Sequence, residues 1–127
     1  MSAWIKIVPI ETSTGLLKDA YEEAKTPSGT VDNVMSIHSQ RPKTMLGHLK
    51  LYKSVLHNSE NVLPIWFLEA VGVYTSILNA CEYSIKHHLL NMKKLLDNEK
   101  RASIIEKALL INLPENAFNG KELALIK

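Results

Sequence analysis

This chain of 127 residues has a single cysteine, Cys81, so it cannot build an internal disulfide framework, and a reducing compartment suits it best. Five glycines and five prolines are too few for a loop-rich or collagen-like chain. Charge of one sign is also scarce. The formal net charge is +2, and the basic residues are spread rather than clustered, which argues against a nucleic-acid partner. Lys93–Lys94 and Lys100–Arg101 lie on otherwise polar helix faces and serve to solvate them. No uncharged run approaches the roughly 20 residues of a membrane span. The opening "MSAWIKIVPIE" carries Lys6 inside its apolar stretch and lacks a small-residue cleavage site, so it does not read as a secretory signal. No internal repeat, low-complexity tract or linker is evident. The expectation is a cytoplasmic protein with one domain over 1–127.

What is present is helical periodicity. Residues 4 to 10, "WIKIVPI", look extended, and Pro9 keeps them from continuing as a central strand. Ser13 or Thr14 can then cap a helix over 14–25 with Leu16, Leu17, Ala20, Tyr21 and Ala24 inward. "TPSG" breaks it, and a short helix follows around 31–37. Pro42 suits the first turn of a helix over 42–57, whose apolar face is Met45, Leu46, Leu49, Tyr52, Val55 and Leu56. The segment 62–79 is apolar nearly all round and predicts a buried central helix, with Glu69 its one charged residue. Helices over 81–96 and 98–112 follow, the latter with Ile104, Ile105, Ala108 and Leu109 inward. Asn119 and Glu122 have capping-box spacing for a last short helix. The expected fold class is all-α, a bundle of about six or seven helices. The tip "KELALIK" ends at Lys127 with Leu123, Leu125 and Ile126 uncovered unless something packs on them. Either another subunit covers them, or the chain lacks further C-terminal helices of a longer protein.

Chemistry-bearing residues converge between positions 69 and 88. A carboxylate among Trp66, Phe67, Leu68 and Val71 must be paired, hydrogen-bonded or protonated, so Glu69 is either a structural acid or a proton carrier. Gly72, Ser76 and Ala80 share its helix face and are small enough to admit a neighbouring helix closely. Cys81 falls at a helix start, where backbone amides and the helix dipole favour a thiolate. Cys81, Ser84, His88, Met92 and Leu95 share one face of the following helix, and His87 points elsewhere. Ser84 and His88 are one turn apart, within hydrogen-bond reach. Five histidines invite a metal reading, but there is no His-x-x-x-His, no Glu-x-x-His and no second cysteine. Ser84, His88 and Glu69 could imitate a hydrolase triad, yet no nucleophile elbow accompanies them. Neither a metal nor another cofactor is expected.

Glu69, then Cys81 twelve residues on, then "CEYS", then His88 resembles the signature of the alkyl hydroperoxidase D and carboxymuconolactone decarboxylase family. More narrowly, the chain resembles its peroxidase-related branch, whose pattern is a buried glutamate, Cys-x-Tyr-Cys and a His-His pair. Asn79, Cys81, Tyr83, His87 and His88 match as they stand, and "AWIKIVPIE" and "MSIHSQRP" are also similar to that branch. The resemblance implies an all-helical bundle that assembles as a homo-oligomer, and reduction of peroxides at a cysteine pair with an external thiol reductant. It implies Glu69 as relay acid, His88 as relay base and Cys81 as the first thiol. The second thiol falls on Ser84, which cannot form a disulfide, so dithiol turnover is expected to be impaired. Two other outcomes stay open: a non-catalytic oligomeric or binding protein, and decarboxylase-like chemistry that needs no cysteine pair.

Overall fold

The computed structural model describes residues 3–127. Among them there are seven α-helices and no strand, which agrees with the all-α expectation. An isolated antiparallel bridge joins Lys25 to Val31 across the "TPSG" turn. No helix is long and apolar enough to cross a membrane, among the described residues. The chain divides into two compact units, Met1–Asn58 and Ser59–Lys127.

The first unit contains α1 (Gly15–Ala24), α2 (Asn33–Ser36) and α3 (Pro42–Leu56). Thr14 is the N-cap of α1 in extended backbone, though its side chain makes no capping hydrogen bond, and Pro42 opens α3 where its missing N–H has no intrahelical partner to lose. Ala20, Tyr21 and Ala24 of α1 close on Met35 of α2 and on Met45 and Leu49 of α3. Leu16 and Val55, expected inward, are about half exposed, because the contact stripe between these short helices is narrower than the apolar stripe in the sequence. The N-terminal arm stays extended without pairing as a strand. Side chains hold it instead. Val8 N–H donates to Ser39 Oγ at 3.0 Å, Tyr21 Oη donates to Val8 O at 2.6 Å, and Gln40 Nε2 donates to Lys6 O at 3.0 Å.

The second unit contains α4 (Ile65–Leu78), α5 (Glu82–Leu96), α6 (Glu99–Leu110) and α7 (Gly120–Ile126). Helix α4 begins three residues later than its apolar run. Pro64 takes the N-cap with extended backbone, and a residue preceding proline is biased away from the α region, so Val62 and Leu63 stay outside the helix. Val62 is 96% exposed as a result. Asn98 caps α6 by accepting from the Arg101 N–H at 3.0 Å. The core comprises Phe67, Ala70 and Val73 of α4, Met92 of α5, Ala102, Ile105 and Leu109 of α6, and Phe118 and Ile126. A Lys93–Glu106 ion pair at 2.8 Å ties α5 to α6 at the rim.

Three sequence expectations change here. Ile104 is 47% exposed, one helical step off the buried Ile105–Leu109 stripe. Asn119 is the N-cap of α7, but its side chain makes no capping hydrogen bond. The α7 tip is not bare: Ile126 is buried and Leu123 packs on the core, while Leu125 is the large apolar side chain of the helix left exposed.

Candidate active site

The site is built on the hairpin of α4 and α5, and the turn between them sets its geometry. Asn79 ends α4, Ala80 follows in the left-handed region (φ 51°), and Cys81 is already the N-cap of α5. Cys81 N–H donates to Ser76 O and Ala80 N–H to Ile77 O, both at 2.9 Å, so the last carbonyls of α4 are satisfied while the chain reverses. A left-handed alanine costs about 1–2 kcal/mol, so this turn is held by its bonds rather than by local preference.

Cys81 is partly exposed, and its Sγ–H donates to Ser84 Oγ at 3.3 Å. On ionisation the polarity reverses, and the Ser84 hydroxyl donates to the thiolate. That hydrogen bond is the main cause of a thiol pKa below the ordinary cysteine value. The backbone N–H groups of Ser84 and Tyr83 add to it, and partial burial opposes it. The sign has a kinetic consequence. A lowered pKa gives more thiolate at a given pH, so the pH midpoint for alkylation of Cys81 is expected below that of a free cysteine. Ser84→Ala removes the largest cause and should move that midpoint up. A midpoint unchanged by the substitution would show that Ser84 does not stabilise the thiolate.

Glu69 projects from α4 and is 1% exposed. His88 Nδ1 donates to its Oε2 at 2.6 Å, and Asn91 Nδ2 reaches Oε1 at a long 3.4 Å. An ionised carboxylate only accepts, so Nδ1 carries the proton and neutral His88 presents a lone pair at Nε2. The close approach needs Gly72, one turn beyond Glu69. A Cβ there would stand 2.7 Å from His88 Nδ1 and 2.9 Å from Cε1 and Cγ. Ser76 Oγ folds back onto Gly72 O at 2.6 Å and keeps out of the way. Small residues on this face of α4 thus admit the ring, as their sizes imply.

The four sequence-derived residues form two hydrogen-bonded pairs, Cys81–Ser84 and Glu69–His88. The Ser84–His88 hydrogen bond that their one-turn spacing allows is not among the bonds made by the described residues: Ser84 meets Cys81 and His88 meets Glu69. His87 is exposed and packs against Tyr83, with ring centroids 4.3 Å apart and the planes tilted by 41°. Sequence reasoning does not single out Asn91. Its spacing from His88, three residues along the same helix, was the available signal. Among the described residues no three His, Cys, Asp or Glu side chains gather as a metal site would require. Comparison with protein-family models, curated proteins and solved structures yields no match.

Proposed function

We propose that the α4–α5 hairpin is a single-thiol redox centre, and that the chain is a relative of the alkyl hydroperoxidase D and carboxymuconolactone decarboxylase family with one thiol of the pair absent. The observation that carries this is the 3.3 Å contact between Cys81 Sγ and Ser84 Oγ, the residue at the position where the resembled family has its second thiol. In the proposed reaction the Cys81 thiolate attacks the terminal oxygen of a hydroperoxide. The O–O bond breaks, sulfur is oxidised to a sulfenic acid, and the departing alkoxide takes the proton that the Cys81 thiol gave to His88 Nε2 on ionising, while Glu69 holds the imidazolium. An external thiol then condenses with the sulfenic acid, releasing water and leaving a mixed disulfide. A second external thiol reduces that disulfide, restores Cys81 and leaves as the oxidised reductant.

The test is chemical trapping. Hydroperoxide treatment in the presence of a sulfenic-acid trap should label Cys81, as read by peptide mass spectrometry. An unlabelled, still-titratable thiol at excess peroxide would reject the redox proposal. The Glu69–His88 pair would then belong to thiol-independent acid–base chemistry or to a structural helix contact.

A homo-oligomer belongs to the same proposal. Trp4, Leu90, Leu95 and Leu125 are exposed apolar side chains that association would cover. Sedimentation at micromolar concentration should give at least a dimer, and a clean monomer would count against it.

A further inference from the structure

The first unit holds a second polar cluster that the proposed chemistry does not use. His38 lies just beyond α2, and its Nε2 is 3.0 Å from His48 Nδ1 on α3. The rings meet edge to face with centroids 5.1 Å apart. His38 Nδ1 is 2.9 Å from Thr44 Oγ1, whose hydroxyl donates to Arg41 O at 2.8 Å.

These bonds fix the direction of a chain of protons. Thr44 spends its one hydrogen on the Arg41 carbonyl, so it accepts from His38 Nδ1–H. Neutral His38 therefore has a lone pair at Nε2, which accepts from His48 Nδ1–H. Adding one proton to the pair is tolerated. A charged His48 goes on donating its Nδ1–H to the lone pair of His38 Nε2. Adding a second proton is not. Two N–H groups would face each other at 3.0 Å with no acceptor between them and two like charges beside them.

The turn that carries His38 also holds the N-terminal arm. Ser39 Oγ accepts Val8 N–H, and Gln40 Nε2 donates to Lys6 O. We propose that the His38–His48 pair is a proton-operated latch, closed while it holds at most one proton, whose double protonation lifts this turn from α3 and loosens the arm at Lys6 and Val8. Burial and the neighbouring His48 charge both depress the basicity of His38. The folded state thus favours its neutral form, and the contribution of the pair is present above the ordinary histidine range and lost as pH falls below it. Among the described residues of α1, α2 and α3, His48 is the charged group that acts on His38. Arg41 enters through its carbonyl.

The test is the amide-exchange protection factor of Val8, measured by NMR from about pH 7.5 to about pH 5, where ordinary histidines charge. In the unaltered protein, protection should fall by about tenfold or more once both rings are charged, reflecting local opening. His48→Gln supplies a side chain that can either donate or accept, so its contact with His38 survives protonation and Val8 protection should stay flat. Equal loss in His48→Gln, or unchanged protection with both rings charged in the unaltered protein, would overturn the latch. So would simultaneous loss of the Met45 and Leu49 methyl signals, which would mark unfolding of the whole unit.

Discussion

Ser84→Cys is expected to form an intramolecular disulfide on oxidation and to raise peroxide reduction with a dithiol reductant above that of the unaltered protein. The geometry already brings the two side chains into contact, Sγ to Oγ at 3.3 Å across one turn of α5. A disulfide needs a sulfur–sulfur distance of about 2.05 Å, a difference that side-chain rotation in the first turn can absorb. Position 84 also lies within the first turn of α5, where unpaired amides stabilise a thiolate. Either sulfur can then attack peroxide and the other resolve it, which removes the need for an outside thiol at that step. Adding Glu69→Gln to the same variant keeps a hydrogen-bond acceptor for His88 but removes the ionisable relay. A rate loss of about 100-fold or more is expected if the relay is a general acid–base. Free-thiol counts before and after peroxide, with peroxide consumption in parallel, read both effects. If Ser84→Cys forms no disulfide, the two positions do not face each other as a dithiol pair requires.

His88→Ala is expected to be the most destabilising single change in the hairpin. It leaves the Glu69 carboxylate in a site where it is 1% exposed, with only the long Asn91 contact on its other oxygen. Leaving a buried charged group without its hydrogen-bond partner costs about 3 kcal/mol or more. The His88 side chain is 28% exposed, so water can reach the gap and about 2–3 kcal/mol is the fitting range. Glu69→Gln should cost less, about 1 kcal/mol, since the amide oxygen still accepts from Nδ1. Adding Glu69→Leu to His88→Ala should recover stability relative to His88→Ala alone, because no charge is then left buried. Urea midpoints measure all three. A His88→Ala midpoint within error of the unaltered protein would mean that Glu69 does not depend on the ring.

Local signals made much of this fold legible. Pro42, Cys81 and Asn98 mark helix starts because each effect acts within one turn. The same locality explains the misplaced start of α4: Pro64 acts on the residues before it, and a hydrophobic run does not register that. Leu16, Val55 and Ile104 lie outside the core because periodicity gives a stripe, while the neighbouring helices determine how wide a stripe is covered. In the candidate site, the burial of Glu69 and the placement of Cys81 follow from composition and capping. The pairing does not. Ser84 and His88 are neighbours on one helix, but the Glu69–His88 bond depends on the register between α4 and α5, set by Gly72 and by the left-handed turn at Ala80. Asn91 and the His38–His48 pair were hidden for the same reason, since each partner lies on another element.

The central claim is that Cys81 is a lone peroxide-reactive thiol that depends on an outside thiol for turnover. The direct measurement is peroxide consumed per chain, first without reductant and then after adding a small monothiol, with the free thiol counted at each stage. The expected result is consumption that stops near one peroxide per chain as the Cys81 thiol disappears, then resumes with the monothiol and ceases when Cys81 is replaced by alanine. Peroxide consumption that is absent in both stages, or unchanged in Cys81→Ala, would contradict it.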